Sequence, residues 1–180
     1  MKSVCVIGSG ISGSTIANLL SKKYKVDVYE KAKGIGGRSS HRRYLNKLGF
    51  DHGLQYISPK TSKFKKFCSG LQKKRVLKKW QGPHNFDHSK VLENKKHTKL
   101  IGAKGNNAIS KYLLKNINCI FGYELFKIER IRKNWKLSFL NGDVKYYEML
   151  IISIPFAQSK KLLKKFLPNF FKNKNVKMEA

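Results

Sequence analysis

The chain has 180 residues, of which 41% are hydrophobic and 12% aromatic, so it is long enough for a well-packed domain and too apolar for a disordered segment. It carries 39 Lys and Arg against 10 Asp and Glu, a formal net charge of +29. No apolar run approaches the ~20 residues that a membrane helix needs, and the apolar start of the chain has the pattern of a strand rather than of a leader peptide. We therefore expect no membrane partner.

The N-terminal residues predict a dinucleotide-binding βαβ unit. An apolar strand over 3–7 runs into Gly8-Ser9-Gly10-Ile11-Ser12-Gly13, and a second strand over 25–30 ends at Glu30. Between them a helix follows over 11–22, with Ile16, Leu19 and Leu20 at helical spacing and expected to face the sheet. The first glycine allows a tight turn, the second lets the backbone approach a pyrophosphate, and the third lets the helix pack close to the strand. The helix N-terminus attracts the negative charge of the pyrophosphate. Glu30 is placed to accept hydrogen bonds from a ribose.

The rest of the chain predicts a mixture of strands and short helices. Short strands are expected over 42–45 and 55–58, around a turn at 46–49, and an amphipathic helix over 61–74. Further strands are expected over 75–80, 97–101, 119–121, 125–132, 135–140, 144–147 and 149–154, and helices over 105–116 and 158–166. Asn141-Gly142 predicts a two-residue hairpin turn, and Asn106 or Asn107 is a candidate N-cap. The continuously apolar run over 149–154 predicts a central strand.

The cysteines and histidines give no sign of a disulfide framework or a metal site. Cys5, Cys68 and Cys119 are scattered and odd in number. Cys68, His84 and His88 lack the spacing of zinc ligands. We expect no metal and a reducing, cytoplasmic location.

The basic charge has two interpretations. It forms an electrostatic surface for nucleic acid or another polyanion, or lysine simply fills solvated positions. The basic residues are spread along the chain and no nucleic-acid-binding motif is present, so we expect no specific nucleic-acid partner.

Several blocks in the same order resemble the N-terminal half of renalase-like FAD-dependent oxidoreductases, which belong to the flavin amine oxidase superfamily. These blocks are Gly8–Gly13, Glu30-Lys31, Gly36-Gly37-Arg38-Ser39-Ser40, Phe50-Asp51-His52-Gly53-Leu54-Gln55-Tyr56, Trp80-Gln81-Gly82, residues 102–108 and Ile152-Ser153-Ile154-Pro155. The resemblance implies an α/β Rossmann-like FAD/NAD(P)-binding fold with a partial inserted substrate-domain segment. It implies an FAD cofactor that takes a hydride from a small-molecule substrate, a dihydropyridine or an amine.

The resemblance also implies which residues hold the cofactor. Residues 8–13 correspond to the pyrophosphate cradle, Glu30 to the ribose acceptor and Lys31 to the neighbour of the adenine. Gly36 and Gly37 allow a close backbone approach, and Arg38 supplies a cation for the diphosphate. The backbone of Leu125 matches an adenine contact, and the block that contains Gln55 is expected near the flavin or the substrate. His52 is either an acid/base group or a structural histidine, and no catalytic residue is assigned.

Members of this family are about twice as long as this chain, so we expect an N-terminal portion: a truncated product, one half of a split gene or a degenerate copy. The expected divisions are 1–56 for the βαβ unit with its second glycine-rich loop, 57–101 for a partial substrate domain, 102–167 for the remainder of the FAD domain, and 168–180 for a frayed tail. Such a chain is an oxidoreductase that a complementing C-terminal chain completes, or a non-catalytic nucleotide-binding module.

Overall fold

The computed structural model describes residues 1–44, 48–81 and 98–172. It divides into two compact units. The first consists of Met1–Ile35 and Leu113–Ala180, and the second of Gly36–Tyr112. The functional boundaries at 56/57, 101/102 and 167/168 stay predictions.

The secondary structure of the described residues alternates strands and helices. The strands are β1 Ser3–Ile7, β2 Lys25–Glu30, β3 His41–Tyr44, β4 Leu48–Asp51, β5 Leu77–Lys79, β6 Leu100–Gly102, β7 Asn118–Phe121, β8 Leu125–Ile131, β9 Asn134–Phe139, β10 Val144–Tyr147 and β11 Met149–Ile152. The helices are α1 Ile11–Leu20, α2 Ser62–Lys73, α3 Ala108–Leu113, α4 Phe156–Leu163 and α5 Pro168–Lys172, with a 3-10 helix at Gly37–Ser39. None of the helices in this part of the chain is both long and apolar enough to cross a membrane.

The first unit is built on a parallel sheet with strand order β11-β1-β2-β7. Val4 of β1 lies opposite Val26 of β2 on one side and opposite Met149 of β11 on the other. The crossover from β1 to β2 runs through α1, which is the βαβ arrangement that the glycine pattern predicts. The fold is therefore α/β and Rossmann-like, as the sequence predicts.

The two faces of β1 pack against different layers of the first unit. Val4 and Val6 join a core cluster with Ala17 of α1. Cys5 and Ile7 join a second cluster with residues such as Leu137 from an antiparallel sheet of order β10-β9-β8. Burial on both faces accounts for the continuous apolar run in β1.

The second unit contains two hairpin-like strand pairs and α2. β3 pairs with β4, and β5 with β6, each antiparallel. Helix α2 begins after Thr61, whose hydroxyl oxygen accepts a hydrogen bond from the Phe64 N–H at 3.3 Å, and it buries Cys68 and Leu71.

The position of β11 corrects the prediction of a central strand. Within the described residues β11 is at the edge of the parallel sheet, and all of its residues are half-buried. Its side chains alternate between the two clusters: Leu150 and Ile152 contact one, and Met149 and Ile151 the other. Because both faces of β11 pack against apolar residues, its sequence is continuously apolar even though, among the described strands, it has a neighbouring strand on one side only.

Three further expectations are wrong in detail. Residues 55–58 form no paired strand beyond a bridge from Ile57 to Leu100, and β4 is the partner of β3. Leu19, expected to face the sheet, is 56% exposed, because the small residues Gly13 and Ala17 hold the inner face of α1. The expected frayed tail is ordered in part, since α5 buries Phe171 against Phe156, with ring centroids 5.5 Å apart. The predicted turn residues 46 and 47, residues 82 and 97, His84, His88 and residues 173–180 lie outside the described residues.

Candidate nucleotide site

The turn between β1 and α1 is held by close backbone contacts. Gly8 has φ +100°, a conformation that favours glycine, and its N–H donates to the Tyr29 carbonyl at 2.8 Å. A Cβ on Gly13 would lie 2.0 Å from the Gly8 carbonyl oxygen. Ser153 closes the turn from the end of β11, because its hydroxyl donates to the Gly8 carbonyl at 3.2 Å. The first and third glycines of the motif are thus required by the packing.

The carboxylate of Glu30 is bonded to the same turn. One oxygen accepts hydrogen bonds from the Ser9 N–H at 2.9 Å and the Ser9 hydroxyl at 2.8 Å. The other accepts from the Ala32 N–H at 2.9 Å. Glu30 is 8% exposed, so its charge is stabilised by these donors rather than by bulk water. The sequence predicted the position of Glu30 but not its bonds to Ser9 and Ala32.

The N-terminus of α1 has the features of an anion site. Gly10 precedes the helix in extended backbone, no side chain of the described residues caps it, and the first turn contains no acidic residue. The N–H groups of this turn and the helix dipole therefore remain available to a negative ligand. Ile11 and Ser12 are exposed at the start of the helix, and Lys31 is exposed beyond β2. These residues fit the pyrophosphate of a dinucleotide.

Leu125 is the first residue of β8, and its side chain is buried in the core of the first unit. The pairing of β8 with β9 shifts register between Leu125 and Lys127. The expected contact between the Leu125 backbone and an adenine stays a prediction.

A hydrogen-bonded tyrosine pair lies between the two sheets of the first unit. The Tyr147 hydroxyl donates to Asp27 at 2.7 Å, and therefore accepts from the Tyr29 hydroxyl at 2.9 Å. Burial is the main cause that raises the pKa of each tyrosine. Both remain neutral at physiological pH and serve as structural links.

The second glycine-rich loop lies in the second unit. Gly36 has φ +132° and Gly37 φ +53°, and a Cβ on Gly36 would lie 2.9 Å from the Cβ of Asn107. The 3-10 turn closes through Ser39, whose N–H and hydroxyl both donate to the Gly36 carbonyl. Arg38 is exposed, so its guanidinium is accessible to an anion.

The segment from Asp51 to Gln55 is held by hydrogen bonds from Asn106, a residue that the sequence analysis gave as a candidate N-cap. Asn106 is 1% exposed, and its amide nitrogen donates to the carbonyls of Leu54 at 2.6 Å and Gln55 at 3.1 Å. Its amide oxygen accepts from the Gly102 N–H at 2.9 Å. Of the two N-cap candidates, Asn107 is the residue that directly precedes α3, whereas the side chain of Asn106 has this different role.

The histidines of the second unit are hydrogen-bonded within it. His52 and Ser40 contact each other at 3.0 Å through the ring Nε2 and the hydroxyl, which supports the structural interpretation of this histidine. His41 Nδ1 lies 3.0 Å from Asp51. Across the described residues, no group of three or more His, Cys, Asp or Glu side chains could hold a metal ion.

The structure brings together the site residues of the first unit, namely Gly8, Ser9, Gly10, Gly13 and Glu30, and places Gly36, Gly37, Arg38 and Gln55 in the second unit. The family pattern of the NAD(P)-binding Rossmann-like domain matches residues 6–71. This match and the parallel sheet show that the chain contains an α/β domain of the Rossmann-like class.

Two known proteins are similar over most of the chain. Renalase from Mus musculus is 26% identical over 169 residues, which cover 88% of this chain and 48% of renalase. The crystal structure of the tetracycline destructase Tet(51) aligns with a TM-score of 0.61 at 14% identity, covering 91% of this chain and 41% of that one. The second similarity is one of fold. The chain spans about half the length of each.

Proposed function

We propose that the chain binds FAD and forms the nucleotide-binding part of a flavin-dependent oxidoreductase of the renalase type. The observation that carries this proposal is the uncapped N-terminus of α1, next to a turn that Gly8 and Gly13 hold compact and Glu30 braces. The similarity to renalase supports the choice of flavin over nicotinamide, and so does the second glycine-rich loop.

Residues 8–13 and Glu30 hold the ADP portion of the cofactor in this proposal, with Lys31 and the Leu125 backbone beside the adenine. Gly36, Gly37, Arg38 and Gln55 are proposed as further cofactor-binding residues. The chemistry that FAD would supply when bound by these residues is acceptance of a hydride from the substrate, with reoxidation by dioxygen. The substrate class is a dihydropyridine or an amine. A complementing C-terminal chain is the proposed protein partner.

A non-catalytic nucleotide-binding module is the second candidate. It is favoured by the absence of a catalytic group among the site residues assigned in the described chain. Both candidates require the same nucleotide site. Hydrogen peroxide production with FAD and a dihydronicotinamide separates them.

The nucleotide site is tested by two glycine variants that differ in the space around the new Cβ. Gly13→Ala places a Cβ 2.0 Å from the Gly8 carbonyl oxygen, whereas the Cβ of Gly34→Ala would meet no atom within 4 Å. Gly13→Ala should weaken FAD and ADP binding at least about tenfold in calorimetry, because the turn must open and its N–H groups lose their alignment. Gly34→Ala should bind as the wild type does.

Circular dichroism establishes that the variants are folded. Should Gly13→Ala not fold, Gly10→Val introduces a branched side chain at the point where the pyrophosphate approaches α1. If folded Gly13→Ala or folded Gly10→Val binds FAD as tightly as the wild type, this assignment of the site is contradicted.

A further inference from the structure

The segment Asp51–Gln55 is exposed yet closely held, which is unusual for a loop. Asp51, His52, Gly53 and Gln55 are all exposed, and the segment after Asp51 has no regular strand or helix. An exposed loop gains little from burial of apolar surface, so its order depends on specific hydrogen bonds.

Hydrogen bonds to residues outside the segment hold both of its ends. The Leu54 N–H donates to the Arg38 carbonyl at 3.0 Å. Gly53 has φ +95°, and a Cβ there would lie 2.5 Å from that same carbonyl oxygen. On the other side, the Asn106 N–H donates to the Asp51 carboxylate at 2.7 Å.

The side chain of Asn106 completes this arrangement from a buried position. Its two N–H groups are used by the carbonyls of Leu54 and Gln55, and its oxygen by the Gly102 N–H. A buried amide whose donors are both satisfied fixes the backbone that it contacts, since moving that backbone leaves buried polar groups unpaired. The side chain of Gln55 is therefore presented from a backbone held in one conformation.

We propose that Asn106 is a positioning residue for cofactor binding: it holds Asp51–Gln55 in the conformation in which Gln55 contacts the flavin portion of FAD. This inference rests on the proposed function. It adds a residue that contacts no cofactor itself and assigns the flavin portion, rather than the ADP portion, as the group that Asn106 affects.

The test compares FAD with ADP, because ADP lacks the flavin. Calorimetric titrations are made on the full chain and on Asn106→Ala, Asn106→Asp, Gln55→Ala and the double variant Asn106→Ala/Gln55→Ala. Asn106→Asp keeps an acceptor for the Gly102 N–H but removes both donors to Leu54 and Gln55. Asn118→Ala is the control, since it removes one hydrogen bond, from Asn118 to Asp27 at 2.7 Å, in the first unit.

Asn106→Ala, Asn106→Asp and Gln55→Ala should each weaken FAD binding about tenfold and change the fluorescence of the bound flavin, while ADP affinity stays within about twofold. The double variant should bind FAD no more weakly than either single variant, because both changes remove the same contact. Asn118→Ala should leave both affinities unchanged.

A parallel loss of FAD and ADP affinity in folded Asn106→Ala would overturn the inference in favour of a merely structural role, and so would additive losses in the double variant. Gln55→Ala alters an exposed side chain, so it decides the matter even where the Asn106 variants do not fold: unchanged FAD binding by Gln55→Ala overturns the inference. Unchanged FAD binding by Gln55→Ala overturns this inference alone, whereas a wild-type chain that does not bind FAD overturns the proposed function as well.

Discussion

Asp143 is an acidic side chain whose environment in the first unit favours its charged form. The Tyr123 hydroxyl donates to its carboxylate at 2.6 Å, and the Lys145 amine lies 3.5 Å away. The hydrogen bond from Tyr123 is the main cause that lowers the pKa of Asp143, and the charge of Lys145 adds to it. The pKa of Asp143 is lower in the folded chain than in the unfolded chain, so ionised Asp143 stabilises the folded state. This contribution is complete above the unfolded pKa of about 3.9 and is lost as the pH falls through the folded pKa.

Asp143→Asn should therefore lower the melting temperature at pH 7, and its difference from the wild type should shrink as the pH falls below about 4. Thermal melts between pH 7 and pH 2.5 measure this difference. Tyr123→Phe should raise the pKa of Asp143 toward its ordinary value, as measured by NMR titration. A constant difference in melting temperature across this pH range would contradict the assignment.

The sequence predicts which residues form the candidate site more readily than it predicts their hydrogen-bond partners. The spacing from Gly13 to Glu30 follows from the length of a helix and a strand, so it is visible in the sequence. The bonds from Ser9 to Glu30 and from Asn106 to Leu54 join residues far apart in the chain. Local sequence carries no information on such pairs.

Among the helices, α2 contains Gly70 without a packing reason for a glycine. A Cβ at Gly70 would meet no atom within 4 Å, whereas one at Gly102 in β6 would lie 1.9 Å from the Gly105 carbonyl. Gly70→Ala should stabilise the chain by about 0.5–1 kcal/mol, because alanine loses less backbone entropy in a helix. Chemical denaturation should show this gain, and a large loss for the matched variant Gly102→Ala. Destabilisation by Gly70→Ala would contradict the described surroundings of α2.

Element bounds were predictable where periodicity and turn chemistry agree. The bounds of β1, β2 and β10 are those that the sequence predicts. Gly142 has φ +88° within the predicted hairpin turn. The turn is one residue longer than predicted, because the Phe139 N–H donates to the Asp143 carbonyl and three residues, 140–142, lie between them. The edge position of β11 could not be predicted, since an apolar run reports contact on two faces and not the number of neighbouring strands. α5 was missed because the Lys- and Asn-rich sequence from Asn169 onward hides the anchoring contact of Phe171.

Across the described residues, apolar side chains are exposed on α2 and on the β3–β4 hairpin. Phe67 of α2 is 37% exposed, whereas Leu71 of the same helix is 3% exposed and packs within the chain. Tyr44, Leu48 and Phe50, on the two strands of the β3–β4 hairpin, are at least half exposed. Tyr44 lies opposite Leu48 in the pairing, so these side chains share a face of the hairpin.

From the net charge of +29 we expect an affinity of the whole chain for polyanions that is independent of the nucleotide site. We expect DNA binding without sequence preference that collapses between low salt and about 0.15 M salt, because release of counterions drives it. FAD also carries negative charge. Salt dependence therefore distinguishes a specific nucleotide site from general electrostatic attraction.

FAD binding at the nucleotide site is tested most directly by a calorimetric titration of the wild-type chain with FAD at about 0.15 M salt, where the Debye length is about 8 Å. We expect saturable binding of one FAD per chain, competed by ADP, because in the proposed site the α1 N-terminus and the Gly8–Gly13 turn hold the pyrophosphate by short-range hydrogen bonds. Binding without a fixed stoichiometry that disappears with added salt, or no binding at all, would contradict it.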